Sequence, residues 1–207
     1  MARKPTVPMM GHPTADAPPA AGRALRADAQ RNRSRVLEVA IAAFATDGLS
    51  VPVHEIARRA GVGTGTVSRH FPTKEALFEA IVFSFAERLV DQARHLAASE
   101  GPGAAFFAFF SVMVAEGAAN RGLADALAGA GFDVEAAASR AEHDVVGAMR
   151  DLLTRAQQAG AVRDDIDAAD VKALIVGCCA RERPATDARA RERMIAIVRE
   201  GLRASHP

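Results

Sequence analysis

The chain has 207 residues, a formal net charge of +1, ten Phe, no Tyr and no Trp, and 49 % apolar residues, many of them alanine. That length can bury a sizeable core, as one large domain or two small ones. No apolar run approaches the ~20 residues of a bilayer-spanning helix, and the opening MARKPTVPMMGHPTADAPPAAG lacks the apolar stretch of a secretory signal, so a cytoplasmic protein with no membrane partner is expected.

The adjacent Cys178 and Cys179 offer neither a disulfide framework nor metal-ligand spacing and read as small apolar fillers; no metal and no cofactor is expected. Charge is unevenly spread. Residues 23–75 hold nine Lys/Arg against five Asp/Glu, whereas residues 76–207 hold fifteen against nineteen. A basic front and an acidic back suit a chain whose first part meets a polyanion.

In chain order, residues 1–25 are rich in Pro and Ala without apolar periodicity, and are expected to be disordered. NRSRVLEVAIAAFATDGL then carries Val36, Leu37, Ala40, Ile41 and Phe44 at three-to-four spacing, the mark of an amphipathic helix, with Gly48 as its stop. VHEIARRAG reads as a short second helix, and Thr64–Phe71 as a third, closed by Pro72. Thr73 is a suitable N-cap for a fourth helix striped by Leu77, Ile81, Phe85 and Leu89. Further helices follow: AAFFAFFSVMVAEGAA after Gly-Pro-Gly, a short LADALAGAG, one long helix from about Val134 to Gln158, one through Val171, Leu174, Ile175 and Cys178, and a last one through Met194, Ile195, Val198 and Leu202. No strand-like alternation of useful length occurs. The expectation is an all-α chain of about nine helices.

The stretch GVGTGTVSRHFPTKEALF, residues 61–78, superficially resembles a phosphate loop. Gly61, Gly63 and Gly65 do not match G-x-G-x-x-G, no strand precedes them, and no Gly-Lys-Ser/Thr follows, so a nucleotide site is rejected. Two short helices joined by a tight glycine turn read better as a helix-turn-helix, whose second helix enters the DNA major groove. Small residues allow close approach, and Thr, Ser, Arg and His can bond base edges or phosphates.

On this evidence the span RSRVLEVAIAAFATDGLSVPVHEIARRAGVGTGTVSRHFPTKEALF resembles the DNA-binding domain of the tetracycline-repressor (TetR) family of bacterial regulators. The features that carry the resemblance are Ala43-Phe44 before Gly48, Ile56-Ala57, Ala60-Gly61-Val62, Gly65-Thr66, His70-Phe71 and Lys74-Glu75. The segment GAVRDDID at 160–167 is similar to a turn that precedes the last two helices in that family. The resemblance implies a helix-turn-helix domain over 26–75 and a ligand-binding and dimerisation domain over 76–207. It implies DNA contacts from Val53 and His54, from Thr64, Gly65, Thr66, Ser68, Arg69 and His70, and from Lys74 on a phosphate. Two positions depart from the pattern: Gly63 stands where a serine usually caps the recognition helix, and Ser68 where a tyrosine usually reaches a phosphate. Ser68 would then touch DNA only through water, or Arg69 would take over the phosphate. Arg23, Arg26, Arg31, Arg33 and Arg35 could form a basic arm into an adjacent groove, or a solvated basic segment.

Behind this domain, Phe106, Phe107, Phe109 and Phe110 suit either core packing or the wall of an apolar ligand cavity, with Asn120, Arg121 and His143 as candidate polar contacts. The last two helices, each with one apolar stripe, would pair with those of a second copy to form a homodimer. The expected function is therefore a DNA-binding transcriptional regulator, a ligand-released repressor on a palindromic operator. An enzyme is the competing class, but the six histidines are scattered and no catalytic spacing occurs. A regulator answering a protein partner is another, favoured if no cavity lies behind the helix-turn-helix.

Overall fold

The computed structural model describes residues 20–180 and 188–204. Ten helices are described: α1 (Ala20–Asp47), α2 (Val53–Ala60), α3 (Thr64–His70), α4 (Lys74–Ser99), α5 (Pro102–Ala119), α6 (Arg121–Gly129), α7 (Val134–Arg140), α8 (Val145–Gln158), α9 (Ala168–Ala180) and α10 (Ala188–Leu202). Among the described residues the sole β pairing is an isolated bridge between Val162 and Arg203. The expected disordered tail over 1–25 lies outside the described residues up to 19, and residues 20–25 instead form the first turns of α1.

Local chemistry accounts for the boundaries. Gly61 ends α2 in the left-handed conformation (φ 66°), and the N–H of Val62 then donates to the Ala57 carbonyl at 3.1 Å. Phe71, restricted by Pro72, leaves helical geometry and closes α3. The Thr73 hydroxyl accepts from the Ala76 N–H at 3.0 Å and opens α4.

The single long helix expected over Val134–Gln158 is two. The Asp144 carboxylate accepts from the Gly147 N–H at 2.7 Å and restarts the helix as α8. A Cβ on Gly147 would lie 2.3 Å from Asp144 Oδ2, so a side chain there would have to displace the capping carboxylate. A side-chain cap of this kind, although exposed, outweighs the continuous helical periodicity on either side.

Two apolar cores result. The first gathers Val36, Leu37, Ala40 and Phe44 of α1, Ile56 and Ala60 of α2, Val67 of α3, Leu77, Phe78 and Ile81 of α4, and Leu123 and Leu127 of α6. The second joins the rear of α4 to α5, α8, α9 and the end of α10. By length and composition α5 could cross a membrane, contrary to the reading of the sequence; in the fold it is the central helix, packed against α4, α8 and α9. Thus α4 runs through both cores, and α6 touches α1.

Candidate nucleic-acid interface and ligand cavity

In α3, side chains one turn apart share a face. Val67 and the following Phe71 point inward and are buried, so Thr64, Gly65, Ser68, Arg69 and His70 are left exposed together, with Thr66 half-buried beside them. His54 of α2 is exposed and Val53 is half-buried, packed on the first core. Gly63 caps α3 with its backbone alone: its carbonyl accepts from Thr66 N–H at 2.9 Å, and no side chain caps the helix.

Lys74, half-buried at the start of α4, holds its ammonium 5.8 Å from the Phe44 ring centroid. Arg33 and Arg35 belong to α1, not to a free arm. The Arg33 guanidinium lies 5.7 Å from the Phe71 centroid, and that of Arg35 lies beside Gly61. Arg31 pairs with Asp28. The side chains of Arg23 and Arg26 lie outside the described residues.

Arg58 and Arg59 are internally committed. Glu55 accepts from Arg58 Nε at 2.7 Å and from Arg59 Nε at 2.8 Å, and Arg59 also reaches Asp47 at 2.5 Å. The hydrogen bonds from Arg58, then Arg59, hold the Glu55 carboxyl at about 2. Arg33, Arg35, Arg69 and Lys74 are consequently the basic groups of residues 31–75 that no described carboxylate pairs. These four cations lie close to α3, with Arg33 over Phe71, Arg35 beside Gly61 and Lys74 at the start of α4.

Behind it lies an apolar cavity of about 310 Å³. Ile81, Val82, Phe85, Ala86 and Leu89 of α4 form one wall, and Met113, Glu116, Gly117 and Asn120 the α5 side. Leu123, Ala124 and Leu127 of α6, Val134 and Ala138 of α7, and Val145 of α8 close it. Its volume is that of a small-molecule site.

Of the sequence candidates for ligand contact, Asn120 alone lines this cavity. Phe106, Phe107, Phe109 and Phe110 are all buried in the second core and do not reach it; α5 has neighbours on three sides at that level, so its phenylalanines fill the contacts between helices. Arg121 donates to the Cys179 carbonyl at 3.2 Å and tethers α6 to α9. His143 lines a different, polar groove between α4 and α8, beside Arg94, Asp151 and Arg155. Sequence reasoning missed Glu116, although its i, i+4 relation to Asn120 on one helix face was available as a signal. The aliphatic walls carried no signal, since a cavity-lining valine reads like any core valine.

Comparison with known proteins agrees with this architecture. Residues 36–81 match the model of the bacterial regulatory proteins of the tetR family, and residues 101–204, half the chain, match that of the transcriptional regulator SbtR-like C-terminal domain. No curated protein matches. A TetR transcription regulatory protein from Mycobacterium vanbaalenii is 51 % identical, the match covering 86 % of this chain and 99 % of that one with a TM-score of 0.71. A TetR transcriptional regulator from Streptomyces coelicolor is 34 % identical over 84 % of this chain and 99 % of its own, with a TM-score of 0.69. A TetR-family regulator from Rhodococcus sp., at 20 % identity and a TM-score of 0.66 over 85 % of this chain and 100 % of its own, shares the fold. With its helix-turn-helix, its helical rear domain and both family matches, the chain belongs to the TetR family of bacterial transcriptional regulators.

Proposed function

We propose that this regulator is a ligand-released repressor, acting in the cytoplasm as a homodimer on a palindromic operator, and that it carries no catalytic activity. The observation that supports this reading most directly is α4. Lys74 at its N-terminus belongs to the basic surface around α3, and two to four turns later Ile81–Leu89 form a wall of the apolar cavity. A ligand that fits one arrangement of these helices better than another would shift the spacing of the two recognition helices and release DNA.

In this reading Thr64, Gly65, Thr66, Ser68, Arg69 and His70 meet the major groove, Val53 and His54 add flanking contacts, and Lys74, Arg33 and Arg35 bind phosphates. The dimer forms through α9 and α10, which leave Val176 and Ile197 more than half exposed on a single chain. The cavity favours a small molecule over a protein partner as the signal.

Fluorescence anisotropy of labelled DNA from immediately upstream of the chain's own gene, against a scrambled duplex at about 0.15 M salt, tests the DNA reading; equal weak binding to both would reject an operator there. The label must sit on the DNA, because the protein has no Trp or Tyr.

A further inference from the structure

We infer that the ligand of the apolar cavity carries a hydrogen-bond donor, an alcohol or an amine on a largely apolar body, and is not a carboxylate. This inference rests on the cavity being the ligand site. Glu116 on α5 and Asn120 at its C-cap, one turn apart, are the polar residues in a lining otherwise made of apolar side chains and one glycine.

Their donors are already used. The Asn120 amide donates through Nδ2 to the Glu116 carbonyl at 2.9 Å and to Glu116 Oε2 at 3.1 Å. Both partners are acceptors, which sets the amide with its nitrogen toward Glu116. Arg88 of α4 donates through Nη2 to the same Oε2 at 3.0 Å while its guanidinium lies 4.9 Å from the Phe85 centroid. Among the described residues, Glu116 Oε1 and Asn120 Oδ1 accept no hydrogen bond.

The polar side chains of the lining therefore hold acceptors without free donors. An alcohol or ammonium group supplies the missing N–H or O–H. A carboxylate brings a second negative charge beside Glu116 and meets no free donor among the lining side chains, and an ether or ketone supplies no donor to those acceptors. Arg88 balances the Glu116 charge, so a neutral donor suffices and a full positive charge is not required.

Calorimetric titration of the full-length dimer with decanol, decylamine, decanoate and methyl decyl ether tests this, because the four share one alkyl body and differ in the head group. The expected result is that decanol or decylamine binds at least about tenfold more tightly than both decanoate and the ether. The preference should collapse in Glu116→Gln, whose side-chain amide can donate to a carboxylate; thermal unfolding of that variant checks that it folds. Ala124→Phe, which fills the cavity, should abolish binding of every member. Equal affinities, or tighter decanoate, in the wild-type protein would overturn the donor assignment while leaving the cavity as the ligand site. Binding of none of the four, or binding that survives Ala124→Phe, would overturn the cavity reading and this inference with it.

Discussion

The ammonium of Lys74 sits 5.8 Å from the ring centroid of Phe44, so the first residue of α4 packs over the core of the helix-turn-helix it also serves. Its stem is half-buried and its charge has no carboxylate partner. Two roles share one side chain: holding α4 against α1, and presenting a cation beside the recognition helix. Lys74→Met keeps the packing and removes the charge. It should weaken DNA binding about equally for operator and scrambled duplexes and lower the slope of log affinity against log salt by about 1, with little change in thermal stability. Anisotropy across a salt series measures the slope; an unchanged slope would remove Lys74 from the phosphate surface.

Gly63 caps α3 without a side chain, yet its backbone (φ −65°, ψ 138°) is ordinary for any residue and a Cβ there meets nothing nearer than Thr66 Oγ1 at 3.8 Å. Gly63→Ser should let the hydroxyl accept from the Thr66 N–H and reduce the freedom of the unfolded chain, raising stability by a few tenths to about 1 kcal/mol. Urea unfolding would register this as a higher midpoint at unchanged slope.

Glu55 holds Arg58 and Arg59, and its carboxyl titrates at about 2 instead of 4.5. Because the folded value is depressed, the stability it contributes is present above about pH 4.5 and fades as the pH falls toward 2. The pair network is exposed, so the contribution is small and screened by salt. Stability measured by denaturant from pH 6 down to 2 should fall less steeply in Glu55→Gln than in wild type within that window, and the two curves should converge at its acid end. Parallel curves would mean that the cluster contributes nothing to acid sensitivity.

Gly103, in the first turn of α5, approaches the turn after α8 so closely that a Cβ on it would lie 2.6 Å from Ala161 Cβ. Neither group has a rotatable end to move aside. Gly103→Ala should therefore destabilise the protein by about 1–3 kcal/mol in spite of alanine's better helix propensity. A stabilised variant in thermal unfolding would show that α5 and this turn can separate freely.

Val176 of α9 and Ile197 of α10 are 58 % and 66 % exposed on a single chain. If these faces form the dimer, Val176→Asp with Ile197→Asp should shift sedimentation toward monomer and lower operator affinity, because each half-site then binds alone. The secondary structure seen by circular dichroism should be retained. A dimer that survives both changes would place the interface elsewhere.

The helix-turn-helix was legible because its determinants are local. Periodic apolar residues placed Val36, Leu37, Ala40 and Phe44 inward, and all four are buried. A glycine was needed at Gly61 for the left-handed turn, and the Thr73 cap is visible as a residue type before its hydrogen bond is seen. Family spacing over that segment then named the regulator class.

The rear domain was legible as helices but not as a site. Four phenylalanines in five residues suggested a cavity wall, yet Phe106 and Phe109 are fully buried because α4, α8 and α9 surround α5 at that level. The open space lies farther along α5, where the short helices α6 and α7 leave Met113, Glu116 and Asn120 uncovered. The break between α7 and α8 depended on the Asp144 cap over Gly147. Local propensity and periodicity act along the chain, so the sequence by itself determined most of the helices, the turn and the exposed face of α3. A cavity is the volume that several distant elements fail to fill, and only their packing in three dimensions decided where it lies and which polar groups face it.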